Sequence, residues 1–350
     1  MTPEDLDDLL AVAAAAARAR NAADRNSEHC PAAGADEAVP PEERYRVVSN
    51  LGSGGSSRVY LVAVVCAGGA EVEAAMKRVA VPASGGGQLE VAAVRAVLAE
   101  LHALEVCRHR SVPRLLDTFR DCDTGDVCLV MTVARGRDLM AMLQERGRPF
   151  PQDDVLRWAG LLLGPLRELH ARGIVYTDLK PENIVVDAES GALSLVDFGL
   201  CFVAPPAGGS HLPPSAVSEA LEMEELRRAM LLTDKDGPSF WGTAEYAAPE
   251  VIEGGVASFS AASDYWALGV LIYELLYGRT PFRAHSAEAV FLAIRTRGPQ
   301  FPESVQVGVE AQQLMRGLMR HKPEYRLGAG GPGEVEGHPA FRRVDGGDDE

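Results

Sequence analysis

Val175-Tyr176-Thr177-Asp178-Leu179-Lys180-Pro181-Glu182-Asn183, with Asp197-Phe198-Gly199 a short interval further on, is the stretch that decides the fold. It puts two carboxylates, a lysine and an asparagine on one loop-and-strand arrangement. Ile184-Val185-Val186 is an apolar run, Asp187 to Gly191 a turn signal, and Leu193-Ser194-Leu195-Val196 a second apolar run that delivers Asp197. Two short strands joined by a tight turn would bring Asn183 and Asp197 together at the strand ends. An amide oxygen and a carboxylate so placed make a hard, oxygen-rich Mg²⁺ site, with waters and substrate phosphates as the other ligands. Asp178 lies on the loop side, where a carboxylate can accept a proton or aim a hydroxyl. Lys180 offers a cation to a moving phosphoryl group.

Upstream, Tyr45 to Ser49 reads as a strand running into Leu51-Gly52-Ser53-Gly54-Gly55-Ser56-Ser57-Arg58-Val59, after which Tyr60-Leu61-Val62 resumes a strand. A glycine-rich hairpin lets backbone N–H groups approach phosphate oxygens without side-chain obstruction. Glu73 to Val79 is the next strand and contains Ala75 and Lys77. A helix then carries Val94, Val97, Leu98, Leu101 and Leu104 at helical spacing, with Glu100 at the border of that face. Leu115 to Arg120 and Val127 to Met131 read as two further strands. Asp138 begins a helix, and from Leu139 onward the chain is mostly helical, with Pro151 to Arg172 one long helix broken near Gly164-Pro165. Downstream lie Trp241 to Glu250, then Ser263-Asp264-Tyr265-Trp266-Ala267-Leu268-Gly269 opening a buried helix, and Tyr325-Arg326-Leu327-Gly328. Arg326 is placed to pair with Glu250.

Residues 45–341 resemble a eukaryotic serine/threonine protein kinase. Within that superfamily they are similar to the AGC group, and most to its plant AGC VIII branch. Tyr176, Cys128 to Met131, Gly242-Thr243-Ala244-Glu245-Tyr246, Tyr277 to Phe282 and His338-Pro339-Ala340-Phe341 carry the resemblance. It implies an α+β, bilobal fold: a β-rich N-lobe with one main helix (45–131), a hinge (132–137) and a larger helical C-lobe (138–341). Residues 1–44 are then an alanine-rich, acidic leader with a helix from Thr2 to about Arg20, read as a solvated extension, with a docking helix as the alternative. Residues 342–350 are a short acidic tail, in which no F-x-x-F segment occurs.

The resemblance also implies the roles. Asp178 orients or deprotonates an acceptor hydroxyl, and Lys180 steadies the transferred phosphoryl group. Asn183 and Asp197 hold Mg²⁺. Lys77, braced by Glu100, grips ATP under the loop from Leu51 to Val59, while Val59 and Ala75 cover the adenine, Met131 and Val133 read its edge, and Asp138 reaches the ribose. Asp138, Glu182 and Glu274 match acids that bind arginines ahead of the acceptor, with Phe240 and Thr243 beside the peptide. The expected function is ATP-dependent phosphorylation of serine and threonine in basic contexts, in intracellular signalling. The alternative is a weak or inactive pseudokinase serving as a scaffold.

Three departures from the family pattern stand out. Ser57 replaces the third loop glycine, Thr177 replaces the arginine before the catalytic aspartate, and Ala96 and Phe202 stand where further basic residues are common. Ser239 matches a phosphorylated position, yet the cations that would pair with its phosphate are missing, so activity without that phosphate is expected. Residues of about 203–237 form an insertion, where Ser215 to Asp234 has the apolar spacing of a marginal helix.

Composition bounds the partners. The net charge of −16 over 350 residues argues against general affinity for nucleic acid or anionic membrane and fits basic peptides. Six scattered cysteines without a C-x-x-C pair read as reduced thiols. Leu9 to Ala17 is apolar but too short to span a bilayer. A cytoplasmic or nuclear location is expected.

Overall fold

The computed structural model describes residues 1–23, 44–54, 57–65, 71–83, 89–203 and 242–342. Gly55, Ser56, Ser239, Phe240, Trp241, the insertion and the acidic tail beyond Arg342 lie outside them. The described chain forms two compact units, one made of residues up to Arg108 with Val112–Ala134, the other of His109–Ser111 and the residues from Arg135 onward.

The first unit is an antiparallel five-stranded sheet with two helices. Strands β1 (Tyr45–Ser53), β2 (Ser57–Val65), β3 (Glu71–Val79), β4 (Leu115–Arg120) and β5 (Val127–Met131) lie in the order β1-β2-β3-β5-β4. Register pairs Val59 with Lys77 and Leu61 with Ala75, then Lys77 with Leu129 and Ala75 with Met131. Paired residues share a face and successive ones alternate. One face therefore presents Val59, Ala75, Lys77 and Met131 together, while Val62, Ala74, Met76, Cys128 and Val130 build the core of the other.

Helix α1 (Pro3–Ala23) lies against β4, the edge strand of the sheet. Its first turn is closed reciprocally: the Asp5 amide donates to Thr2 Oγ1 (3.2 Å) and the Thr2 amide to Asp5 Oδ2 (2.8 Å). Leu6, Leu9, Leu10, Ala13, Ala14 and Ala17 are buried at helical spacing. This corrects the reading of the leader as a solvated extension. Alanines that look like mere helix propensity are small contacts that let the backbone come close to a strand edge. Helix α2 (Val91–Val106) is buried on almost every side from Val94 onward.

In the second unit, β6 (Arg137–Asp138), β8 (Ile184–Val186) and β9 (Leu193–Leu195) form one small sheet. Strands β7 (Ile174–Val175) and β10 (Phe202–Val203) form another. Gly136 is required where the chain enters β6: at φ 112° a Cβ would stand 2.1 Å from the Val186 carbonyl oxygen. Helices α3 (Leu139–Arg146), α4 (Gln152–Ala171), α5 (Pro249–Gly254), α6 (Ala261–Tyr277), α7 (Ala287–Thr296), α8 (Val309–Leu318) and α9 (Pro332–Glu336) complete the unit. Helix α6 is its core, apolar nearly all round. The expected break in α4 does not occur. The helix runs through Pro165, because buried Leu162, Pro165, Leu166 and Leu169 hold it on the apolar side despite one missing backbone bond.

The pair forecast between Glu250 and Arg326 is present. The guanidinium of Arg326, with no solvent exposure, donates to both carboxylate oxygens at 2.6 and 2.8 Å and to the carbonyls of Ala262, Arg320 and His321. It also lies over the Trp266 ring.

Candidate active site

Each unit holds one part of the set. In the first, Lys77 Nζ donates to both oxygens of Glu100, at 2.9 and 2.7 Å, across 23 residues of chain. Both side chains are almost fully buried (8% and 3% exposed), so each ion has exchanged water for the other. The glycine-rich hairpin opens with a register shift between Asn50 and Gly52 and is held by Gly52 N–H to Asn50 Oδ1 (2.9 Å) and Gly54 N–H to Ser57 O (2.8 Å). A Cβ on Gly52 would meet nothing within 4 Å. The protein's own packing does not demand glycine there, which fits a backbone kept bare for an incoming group. Leu51 is exposed beside it, and Ala75 and Met131 are buried.

In the second unit, β8 and β9 pair Ile184 with Leu195, and Val196 N–H donates to Asn183 O (3.0 Å). This is the hairpin read from the sequence, and it sets Asn183 and Asp197 at adjoining strand ends. Asp187 closes the turn, accepting from the Glu189 amide and the Ser190 hydroxyl. Asp197 has φ 60°, a left-handed conformation that is costly for a non-glycine residue and that re-aims its carboxylate as the strand ends. Phe198, fully buried, meets the Tyr176 ring edge-on at 5.4 Å, and the Tyr176 hydroxyl donates to Val196 O.

Asp178 is the centre of this arrangement. Its Oδ2 accepts from Lys180 Nζ (2.7 Å) and Asn183 Nδ2 (2.9 Å), while its buried Oδ1 has no hydrogen-bond partner. Asn183 Nδ2 also donates to the Asp178 carbonyl (2.9 Å), so the amide oxygen is the atom of Asn183 left for a cation. Burial pushes the Asp178 carboxyl above the usual 3.8, against the opposing pull of Lys180 and with a further upward push from the Asp197 charge. Lys180 additionally donates to Thr243 Oγ1 (3.3 Å), bringing that predicted substrate contact to the loop. Gly242 lies beside the loop at φ 105°, a backbone conformation that favours glycine, and a Cβ there would be in ordinary contact, 3.6 Å, with Thr177 O.

Residues unassigned in the sequence reading hold the loop in place. Asp264, at the start of α6 and fully buried, accepts from the amides of Tyr176 and Thr177 (2.8 Å each) and bonds His170 Nε2 (2.7 Å). Thr177, at φ 68°, donates its hydroxyl to Leu200 O (2.6 Å). Where relatives of this type place arginine, a short hydroxyl bond ties the loop to the residues after Asp197. Phe202 is likewise apolar packing, tilted against Phe259. The sequence signal for Asp264 was an aspartate opening an otherwise apolar helix.

The acids assigned to substrate recognition divide. Asp138 Oδ1 caps α3 by accepting from the Ala141 amide (2.7 Å), a structural duty that the sequence reading did not give it. Glu274 is half-buried and accepts from the Tyr246 hydroxyl. Burial raises its carboxyl above the usual value, and the charges of Glu182 and Glu245 push it further. Glu245, in turn, accepts from Thr280 Oγ1 (2.6 Å). This local excess of carboxylate was legible only in Glu182 and Glu274.

The donor set suits magnesium. Asn183 and Asp197 offer hard oxygens, and among the described residues no group of three His, Cys, Asp or Glu side chains forms a self-sufficient metal site. Two such oxygens would leave the rest of a Mg²⁺ coordination sphere to waters and phosphates, which that ion ordinarily keeps. Among the described residues no helix is long and apolar enough to cross a membrane.

Residues 45–339 match the family described as protein kinase domain. Phototropin-1A of Oryza sativa subsp. japonica is 33% identical over 306 residues, covering 86% of this chain and 32% of that protein. Serine/threonine-protein kinase KIPK1 of Arabidopsis thaliana is 33% identical over 300 residues, 69% of this chain and 32% of its own length. Serine/threonine-protein kinase nrc-2 of Neurospora crassa is 33% identical over 259 residues, 71% of this chain and 40% of its own. The chain thus spans 32% of the length of the first two and 40% of the third. Since the match runs through both units, the chain belongs to the protein kinase family, among the serine/threonine kinases of the AGC group.

Proposed function

We propose that this chain transfers the terminal phosphoryl group of ATP to serine and threonine hydroxyls of proteins, in sequence contexts that carry arginine. The observation that carries the reading is the buried, unpartnered Oδ1 of Asp178 beside a lysine and an asparagine already fixed on its other oxygen. A buried acceptor without a donor is costly unless a ligand supplies one. An acceptor hydroxyl would do so, placing its oxygen for attack on the phosphorus while Asp178 takes the proton. The new O–P bond forms as the bond to the bridging oxygen breaks, and ADP leaves. Lys180 faces the charge of the moving group, and Lys77, held by Glu100, binds the nucleotide phosphates. Mg²⁺, when held by Asn183 and Asp197, neutralises phosphate charge. Ser57 in the hairpin is a small polar substitute that keeps the loop compact.

The arginine preference rests on Glu274, Glu182 and Glu245, whose mutual repulsion a guanidinium would relieve. The test is phosphate incorporation from Mg-ATP into a serine peptide with arginines ahead of the acceptor, against the same peptide with alanines there. Wild type should label the arginine peptide preferentially, and Asp178→Ala should be about 10²- to 10⁴-fold slower. Equal rates for wild type and Asp178→Ala would refute the assignment, and equal labelling of both peptides would refute the arginine preference alone.

A further inference from the structure

Helix α2, which carries Glu100, is tied to the leader near both ends. Just ahead of it, Leu89 N–H donates to the carbonyl of Met1 (3.3 Å). In its last turn, the Glu105 side chain is fully buried, with the Arg20 guanidinium 3.6 Å away. Glu100 and Glu105 are five residues apart, which on a helix separates them by about 140°. Lys77 therefore holds α2 on one side and Arg20 on a nearly opposite one.

The same leader is anchored to the sheet beside α2. Arg18 donates to Asp117 Oδ1 (2.7 Å), Asn21 Nδ2 to the Leu115 carbonyl (3.0 Å), and Arg120 pairs with Asp7 (3.0 Å). Asp117, buried on β4, is shared. Its Oδ1 also takes the Thr118 amide (3.0 Å), and its Oδ2 takes the Tyr45 hydroxyl (2.7 Å) with Arg44 at 3.7 Å. One carboxylate thus joins α1, the edge strand and the first residues of β1. With Leu6, Leu10, Ala13 and Ala17 at most 1% exposed, α1 is seated as firmly as any core element.

We propose that the leader helix is a built-in positioning element for the Lys77–Glu100 pair. Arg20 on Glu105 and Arg18 on Asp117 fix the rotation and depth of α2, and so keep Glu100 on Lys77. Arg18 and Arg20 are positioning residues, not catalytic ones. The inference rests on reading Lys77 as the nucleotide lysine. A buried ion pair repays its desolvation only in good geometry, so the setting of α2 governs whether Lys77 is presented to a phosphate.

The test uses the full chain with Arg18→Ala/Arg20→Ala, the single Arg20→Ala as the milder variant, and Arg18→Lys/Arg20→Lys as the conservative rescue. Hydrogen exchange of residues 94–104 is measured without nucleotide, and KM for ATP and for peptide separately. The alanine variants should exchange about tenfold faster in that helix and show a KM for ATP about tenfold higher. The peptide KM should stay within about twofold, and the lysine variant should recover most of the loss. A lowered melting temperature with unchanged exchange in α2 and unchanged KM for ATP would mean that the leader only adds stability, and would overturn the proposal. Were wild type to bind no ATP, the reading of Lys77 would fall, while the exchange arm would still decide whether the leader sets α2.

Discussion

Replacing Asp264 with asparagine tests how the catalytic loop is held. The carboxylate accepts from Thr177 N–H on Oδ1 and from Tyr176 N–H and His170 on Oδ2, with no exposure to solvent. An asparagine keeps one oxygen and presents an NH₂ in place of the other, so one loop amide loses its acceptor whichever way the side chain turns. A hydrogen bond to a buried charged group contributes about 1.5–3 kcal/mol, and the stranded amide adds a desolvation penalty of similar size. The loop carries its own cost, because Thr177 sits at φ 68°, a conformation worth about 1–3 kcal/mol of strain for a non-glycine residue. With its tether weakened, Thr177 relaxes and Asp178 moves with it. We expect Asp264→Asn to lose about 2–4 kcal/mol of stability and to lower kcat about ten- to a hundredfold. KM for ATP should change less than kcat, because Lys77 and Glu100, which grip the nucleotide phosphates, belong to the other unit. Urea unfolding and steady-state kinetics on a peptide substrate measure these quantities. A variant with wild-type kcat and an unchanged urea midpoint would refute the view that this carboxylate sets the loop.

Arg326→Met removes one partner of a buried bidentate pair and strips the carbonyls of Ala262, Arg320 and His321 of a donor. The expected loss is about 3–5 kcal/mol, read as a lowered urea midpoint by tryptophan fluorescence, and an unchanged midpoint would contradict it. Because burial raises the Asp178 carboxyl above 3.8, the acid limb of the rate profile should fall at a higher pH than for an ordinary aspartate. Below that limb Asp178 is protonated and cannot take the hydroxyl proton. Its effect on stability has the opposite sense, since the fold favours the protonated form and loses that contribution as pH rises from 3.8 through the raised value. A limb at or below 3.8 would contradict the assignment. Glu274→Gln should raise KM for an arginine-containing peptide about tenfold with KM for ATP unchanged, and an equal effect on a peptide without arginine would count against the proposed role of these carboxylates.

Much of the second unit's site could be read in the sequence, because its chemistry is local. Asn183 and Asp197 flank two apolar runs and one turn, so strand pairing alone brings them together. Lys77 and Glu100 were read as partners only by resemblance, since they lie on a strand and a helix whose packing no local pattern reports. The Glu250–Arg326 pair was likewise recognised from its motif rather than from spacing. Asp264 escaped because two of its partners are backbone amides, which leave no side-chain signature, and the third, His170, lies 94 residues away in the chain. Glu245 escaped because an acid in a turn looks solvated until the turn is seen beside Glu274 and Thr280. For the leader the alternative reading, a docked helix, is the one that holds; the sequence favours the solvated reading because alanine contributes little to an apolar pattern, yet Ala13, Ala14 and Ala17 are buried against a strand edge. Gly55, Ser56, Phe240 and Ser239 lie outside the described residues, and their assignments stand as proposals.

Calorimetric titration with ATP, with and without magnesium, in wild type, Lys77→Met and Asp197→Asn tests the central claim most directly. The account predicts one binding event in wild type that tightens when magnesium is present. Lys77→Met should weaken binding with or without the metal, and Asp197→Asn should abolish the tightening by magnesium while leaving metal-free binding intact. If wild type gives no heat, if Lys77→Met binds ATP as wild type does, or if Asp197→Asn responds to magnesium as wild type does, then the roles proposed for Lys77 and Asp197 are wrong.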